Sequence, residues 1–586
     1  MPEYHAPLRE IQFVLFDVLD LEGHLATLKR ADLSADVVRE ILSQAGHFAE
    51  HVLSPINEIG DRTPPALTAN GVTVPAAFKE AFDQFKEHGW VSVAAAERWG
   101  GQAMPFAVHI PVSELWCSSA MAWRSATGLT EGALLALERH ASRALQSRYA
   151  PRLATGEWTG TMCLTEPQAG SDLALLRTKA VAVGEDLYEI SGTKIYISFG
   201  EHDLTTNIVH LVLARLPDAP EGVKGISLFV VPRFREDGRA NGVKAIGLEH
   251  KMGIHGSPTC VMEFDRAQGH LVGHPGDGLS VMFTMMNQAR LGVGLQGLGL
   301  MERALQQSRR YAFDRIQGRA LSAKSGHERI VHHPDVRRML MIQKSLTEAA
   351  RLLIYDTYRL LDVAEGTTGA DAQRCERIVA VLVPIMKAML TEWGMECTSL
   401  AIQVHGGAGY IRSTGVEQWF RDARITPIYE GTNGIQALDL LGRKVLSDRG
   451  KGLAELSQYL QEHYLKNVPR SLKDLSTVLK AHLELWSDLT KKIGLKALLN
   501  AEEIGAAAHD YLHFSGYVLA GAAWLRMATV ATERLQRDPE SSYLKAKLAA
   551  ADAYFSGVLP RAKAHAEMAG AGVKHLPLLA AEDYSS

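Results

Sequence analysis

What the chain lacks narrows its class before any motif is read. Its 586 residues hold five cysteines, Cys117, Cys163, Cys260, Cys375 and Cys397, far apart and in no paired metal-ligand spacing. A sparse, odd count argues against a disulfide scaffold and suits a reducing compartment, so a cytoplasmic location is expected. Neither sign of charge dominates: Lys+Arg is 62 against Asp+Glu 66, a net charge of −4. Without a bulk positive field, nucleic acid is not an expected partner. No unbroken run of about 18 apolar residues occurs, so no integral membrane segment is expected. The nearest candidate, Gly516 to Leu525, is closed by Arg526. The opening MPEYHAPLREIQFVLFDVLDLEG has acids on both sides of its apolar stretch and no basic start, unlike a secretory signal. Repeats and low-complexity tracts are also missing.

What remains is a globular composition, 46% hydrophobic and 22% charged, with length for three to five domains. LSADVVREILSQAGHFAEHVLSPIN has apolar residues at three-and-four spacing, with Ser34 as N-cap; Ala133 to Leu145 repeats the pattern. From Trp158 to about Gly273 the texture turns β-rich, in DLYEISGTKIYIS, NIVHLVLARL and GISLFVVPRF. Long helical periods return from Gly278 to about Leu446, and residues 453–586 are again helical. Segregated blocks of this kind predict α+β packing, mostly α, and not alternating βαβ units.

Gly292-Val293-Gly294-Leu295-Gln296-Gly297 matches the dinucleotide fingerprint G-x-G-x-x-G, which functions after a strand and at a helix start. Here the preceding SVMFTMMNQARL reads as helix, and Gln317 stands where an acid belongs. The glycines therefore read as a helix face for close packing. His332-His333-Pro334-Asp335 reads as a loop opening a helix with Asp335 in its first turn, so no metal site is expected.

Three segments carry candidate chemistry. CLTEPQAGSDLALLRTKA, residues 163–180, joins a Thr-Glu-Pro turn to Gly170, Ser171 and Asp172, which suits close approach to a ring or phosphate. QVHGGAGYIRSTGVEQWFRDARI, residues 403–425, has Gly406-Gly407-Ala408-Gly409, with Glu417, Arg421 and Asp422 to brace the turn. Each also reads as an ordinary capped turn or a helix ending in glycine. In ITPIYEGTNGIQALDLLGRK, residues 425–444, Glu430 stands between Tyr429 and Gly431. A carboxylate beside apolar and aromatic neighbours suits a general base; an acid near a helix N-terminus is the plainer reading.

In order and spacing the three segments together resemble the acyl-CoA dehydrogenase family, flavoproteins that desaturate acyl-CoA thioesters between Cα and Cβ. The resemblance covers about residues 40 to 445. The flanking extensions resemble those of a long bacterial subgroup.

The resemblance implies an N-terminal helical domain (36–157) after an extension (1–35). A middle β-barrel-like domain (158–273), a C-terminal four-helix bundle (274–446) and an additional helical domain (447–586) follow. The implied cofactor is FAD. Met162, Leu164 and Thr165 would meet the flavin ring, and Ser171 the pyrophosphate or the substrate pantetheine. Tyr196 and Ser198 match positions usually held by Trp and Thr. Arg315 matches the arginine that reaches a neighbouring subunit's FAD phosphate. Gln403, Gly406 and Gly407 match adenosine-side contacts, and Thr432 a flavin contact. Asn287, Arg290, Tyr429 and Gly431 match substrate-side positions. Glu430 matches the catalytic base, taking the α-proton while the β-hydride leaves to flavin N5.

Leu175, Ser413, Gln418 and Gly434 depart from the usual motifs, and the Arg315 loop is one residue short. The implied partners are an acyl-CoA, an electron-transferring flavoprotein and a second copy in a homodimer. An acyl-CoA oxidase using oxygen and a non-catalytic flavin-binding scaffold remain as alternatives. Short thioether, medium-chain and long-chain acyl groups all stay open.

Overall fold

The computed structural model describes residues 3–321 and 326–584. Its contacts divide the chain into two compact units, Met1–Ala6 with Gln44–Gly292, and Pro7–Ser43 with Val293–Ser586.

The first unit joins a helical part to a sheet. A small hairpin pairs β1 (Ala66–Thr68) with β2 (Gly71–Thr73). The helix Phe106–His140 is buried along most of its length and breaks helical geometry at Ala120 (φ −151°, ψ 71°). Its Trp116 meets Phe48 and Phe85 edge to face, its Trp123 meets Phe85 in the same way, and those two phenylalanines meet tilted. The pattern expected to run from Ala133 through Leu145 is split. The helix ends at His140, and Ser142 caps a new one, Arg143–Ala154, by accepting the Leu145 N–H.

The large sheet contains β3 (Trp158–Cys163), β4 (Lys179–Ala182), β5 (Tyr188–Ser198), β6 (Asn207–Arg215), β7 (Ile226–Pro232), β8 (Val243–Leu248) and β9 (Thr259–Val272). β6 and β7 are apolar on both faces because both faces are covered. Val209, Leu211 and Leu213 join a core with Leu137, Tyr149 and Leu153, while Val212 and Ala214 join another with Ile190 and Phe229.

The barrel-like expectation needs correction. β3 runs parallel to β6, and the pairing path returns from β4 to β6 through the single pair Lys179–Arg215. The four-residue β4 is too short to close a cylinder with a continuous ladder.

The second unit is helical. Its long members include Pro334–Gly366, Ala370–His405 and Glu502–Leu535, together with the C-terminal part of Gly278–Asp314. The G-x-G-x-x-G stretch lies wholly inside that last helix. A Cβ at Gly297 would stand 2.4 Å from the Leu390 carbonyl oxygen, so the small residues serve close helix packing, as read from sequence. The fourth bundle element is not continuous. Val416–Ala423 ends, and helix resumes at Asn433–Leu438, running on through a π-helical stretch to Leu446.

The most apolar stretch also differs from the one expected. Among the described residues one helix is long and apolar enough to cross a membrane, Ala370–Tyr410, with mean hydropathy 1.5 and 83% of its window buried. Its run Ile378–Met395 is interrupted by Lys387, Thr391 and Glu392, which hid it from a search for unbroken apolar sequence.

Both extensions attach to this unit through buried charge. Lys547, wholly buried, donates to Glu348 at 2.7 Å and also pairs with Glu10. Asp356, on Pro334–Gly366, accepts from the hydroxyls of Tyr459 and Tyr464, the latter at 2.7 Å. Satisfied in this way, buried charges specify one docking register.

Candidate active site

The candidate residues fall on both units, and each group is built differently. In the sheet unit, β3 delivers Met162 half-buried against the core that holds Leu137 and Leu211, then ends at Cys163. Leu164 is buried, and Thr165 precedes a tight turn in which Glu166 and Ala169 exchange backbone hydrogen bonds of 3.0 Å. The Thr-Glu-Pro turn read from sequence is thus present.

The Glu166 carboxylate sits at the centre of this segment. It accepts from Lys194 Nζ at 2.8 Å, Thr178 Oγ1 at 2.6 Å and the Arg177 N–H at 2.7 Å. Burial pushes its carboxyl up, but the Lys194 ammonium and these hydrogen bonds outweigh that and hold it down at about 2. Burial likewise pulls the Lys194 ammonium down to about 8, with Glu166 opposing.

On β5, strict alternation would put Tyr196 on the same buried face as Lys194. A β-bulge intervenes: Lys194 pairs with Met262 and Ile197 with Cys260, three residues against two. Ile197 takes the buried place. Tyr196 is turned outward, 61% exposed, in a left-handed conformation (φ +61°). Ser198 is half-buried at the end of the strand.

Ser171 is exposed in the loop where Asp172 caps a short 3₁₀ turn, accepting the Ala174 N–H at 2.9 Å. On the helix Gly278–Asp314, Asn287 is exposed, and Arg290 is buried with its guanidinium 5.9 Å from the Phe283 ring centre.

In the helical unit, the helix Ala370–His405 stops where Gly406 adopts φ +60°, its N–H returning to the Gln403 carbonyl. Gln403, Gly406 and Gly407 are exposed, and a Cβ on either glycine would meet nothing within 4 Å. Glu417 and Arg421 pair along Val416–Ala423, and Gln418 donates to Asp422 at 3.2 Å. Arg315 is exposed in a separate loop, its guanidinium bonded to Ile316 O and Gln317 Oε1, both at 3.1 Å. His333 takes part in the same loop through Gln317 O at 2.8 Å, and Asp335 falls in the first helical turn as expected.

Glu430 occupies the break in the fourth bundle element. It is half-buried at φ +56°, and Gly431 follows at φ +85°. A left-handed glutamate is strained, and such strain persists where surroundings over-determine it. Several contacts do so. The Tyr429 hydroxyl donates to Gln296 Oε1. Thr432 caps the next helix, accepting the Ile435 N–H at 3.3 Å. Gln436 Nε2 donates to the carbonyls of Glu430 and Gly431 at 3.3 and 3.2 Å. Asn433 accepts from buried Lys387 at 2.9 Å and donates to Glu392 at 2.7 Å.

Sequence reasoning missed Lys194, Glu166, Lys387, Asn433 and Gln436 as the supports of these segments. A signal existed for the lysines: each interrupts an otherwise apolar face, which a buried charge does only when paired.

Four family models match in sequence: the N-terminal domain of acyl-CoA dehydrogenase at 37–157, the middle domain at 161–267, the C-terminal domain at 276–446, and an acetyl-CoA dehydrogenase C-terminal-like domain at 453–577. A 3-methylmercaptopropionyl-CoA dehydrogenase of Ruegeria pomeroyi is 40% identical over 565 residues, covering 95% of this chain and 96% of its own. A broad-specificity linear acyl-CoA dehydrogenase of Mycobacterium tuberculosis is 32% identical, covering 96% of each. The solved structure of Caenorhabditis elegans ACDH-11 in complex with C11-CoA superposes with a TM-score of 0.80 at 22% identity, over 95% of this chain and 91% of that one. The chain belongs to the acyl-CoA dehydrogenase family. It is an FAD-dependent oxidoreductase.

The residues present suit that cofactor. A flavin dinucleotide needs an apolar face, hydroxyl and main-chain donors, a cation for phosphate and backbone that can be approached closely. The exposed Tyr196 ring, the Thr165 and Ser198 hydroxyls, the exposed Arg315 guanidinium and the open Gly406-Gly407 pair supply those types.

Proposed function

We propose that this chain oxidises the Cα–Cβ bond of an acyl-CoA thioester to the trans-2-enoyl thioester, with Glu430 as the base. The observation that carries the reading is the conformation of Glu430: a strained, half-buried carboxylate in a helix break, pinned from both sides. Ordinary helix capping needs no such strain, and the capping is already performed by Thr432.

The FAD contacts are Met162, Leu164, Thr165, Ser171, Tyr196, Ser198, Gln403, Gly406, Gly407 and Thr432, with Arg315 reaching the FAD phosphate of a neighbouring subunit. Bound there, FAD supplies the two-electron acceptor for the oxidation. Glu430 removes the α-proton, and its own main-chain N–H donates to the thioester carbonyl as charge develops there. Such a donor is worth about 3–4 kcal/mol of barrier. Asn287, Arg290, Tyr429 and Gly431 hold the substrate. Electrons then pass to an electron-transferring flavoprotein. The acyl group is the short thioether 3-methylmercaptopropionyl; the relative named for that substrate, matching nearly end to end, supports this choice.

The test is Glu430→Gln, with wild type assayed on an acyl-CoA panel with a dye acceptor. The variant keeps flavin and binds thioester, and its turnover falls at least about a hundredfold. Near-normal turnover refutes the base. A wild-type preference for a straight-chain acyl-CoA over the thioether refutes the substrate.

A further inference from the structure

The sheet unit carries charge where an apolar residue would fill the space. Lys194 is wholly buried and Glu166 is 3% exposed. Lys194 Nζ donates to Glu166 Oε1 at 2.8 Å and to the Leu164 carbonyl at 2.9 Å. The next residue, Ile195, donates its N–H to the Thr165 carbonyl at 2.9 Å. Two consecutive carbonyls of the turn are therefore gripped by two consecutive residues of β5. One residue beyond stands the bulged Tyr196. Thr178 donates to the same Oε1 through its N–H and its hydroxyl, and the Arg177 N–H donates to Oε2.

Burying both charges is expensive, and a well-packed apolar pair of the same volume holds a sheet core as well or better. What the ionic pair adds is direction. Its bonds set how far the Thr165 turn stands from the bulge and which way each faces. We infer that Lys194 and Glu166 are positioning residues for the flavin, fixing the spacing between Thr165 and the Tyr196–Ser198 segment. This rests on the proposed reading that both segments face FAD. The pair touches neither flavin nor substrate; it acts through the main chain of the turn and the strand.

The experiment titrates FAD into apoprotein and reads the dissociation constant, the visible flavin spectrum and the melting temperature of the apoprotein. Glu166→Gln with Lys194→Met removes both charges at nearly constant volume. The expected result is an apoprotein melting within a few degrees of wild type, an FAD dissociation constant raised at least about tenfold, and a shifted flavin spectrum. Wild-type affinity and spectrum in the double variant overturn the inference. A loss of affinity that merely tracks a collapsed melting temperature also overturns it. Thr178→Val keeps both charges and removes one bond to Glu166. It is expected to weaken FAD binding severalfold with unaltered melting, and an unchanged affinity in it overturns the inference as well. If the wild-type protein itself binds no FAD, it is the proposed function that fails.

Discussion

Lys387 and Asn433 meet in the interior of the helical unit, the ammonium donating to the amide oxygen at 2.9 Å. Asn433 lies three residues after Glu430, so the contact anchors the strained loop to the apolar helix Ala370–His405.

That anchoring predicts an order of effects. Asn433→Leu leaves the Lys387 ammonium buried without this acceptor and lowers stability by about 2–3 kcal/mol. Lys387→Met removes the charge together with the bond and lowers it less. Calorimetry reads the order, and dye-linked turnover falls in both variants as Glu430 loosens. Equal melting temperatures would remove the anchoring role.

Acid sensitivity follows from two carboxylates in the sheet unit. For Glu131, burial raises the carboxyl, but Arg124 at 2.9 Å and His109 outweigh it and hold it at about 2. Glu166 stands at about 2 as well. Both have an ordinary value of 4.5, so the unfolded chain binds protons first as pH falls. Their contribution is complete above pH 4.5 and is lost as pH drops from there toward 2. Melting temperature measured across that window should fall. In the Glu166→Gln, Lys194→Met protein it should fall less steeply; identical slopes would sink the assignment.

The bulge at Tyr196 predicts opposite changes in stability and cofactor affinity. Glycine tolerates φ +61° without the Cβ clash that tyrosine suffers, so Tyr196→Gly should stabilise the apoprotein by about 1 kcal/mol. The same change removes an exposed aromatic face and should weaken FAD binding. Denaturant melts and FAD titration check the two signs separately.

Much of this was legible in the residues, for reasons that can be named. The β-rich runs became β5, β6 and β7 because their boundaries are Gly, Pro and Asp turns. Ser34 caps its helix, its side chain accepting the Val37 N–H at 3.3 Å, because that bond is local. The Thr-Glu-Pro turn and the Gly406 stop are local too. The β5 bulge was not legible, since its register is set by β9, more than sixty residues away. Nor were the partners of Lys194 and Lys387: an interrupted apolar face marks each lysine, but the groups they bind are 28 and 46 residues away. The interrupted fourth helix was hidden for the same reason. The strain at Glu430 is held by Gln296 and Lys387, which no short window contains.

The cluster around Lys547 bears on how the chain is made. Glu10 and Lys547 stand 537 residues apart in sequence yet share one buried charge cluster with Glu348. At ribosomal speeds the early carboxylate waits on the order of 30–100 s for its cation to emerge. Over that interval Glu10 lacks the Lys547 ammonium, while Glu348 has only Lys344 as its cation. Truncation ahead of Lys547 would leave Glu348 with Lys344 alone and Glu10 without this cation, so soluble expression of such a fragment should improve when Glu10 is replaced by a neutral residue.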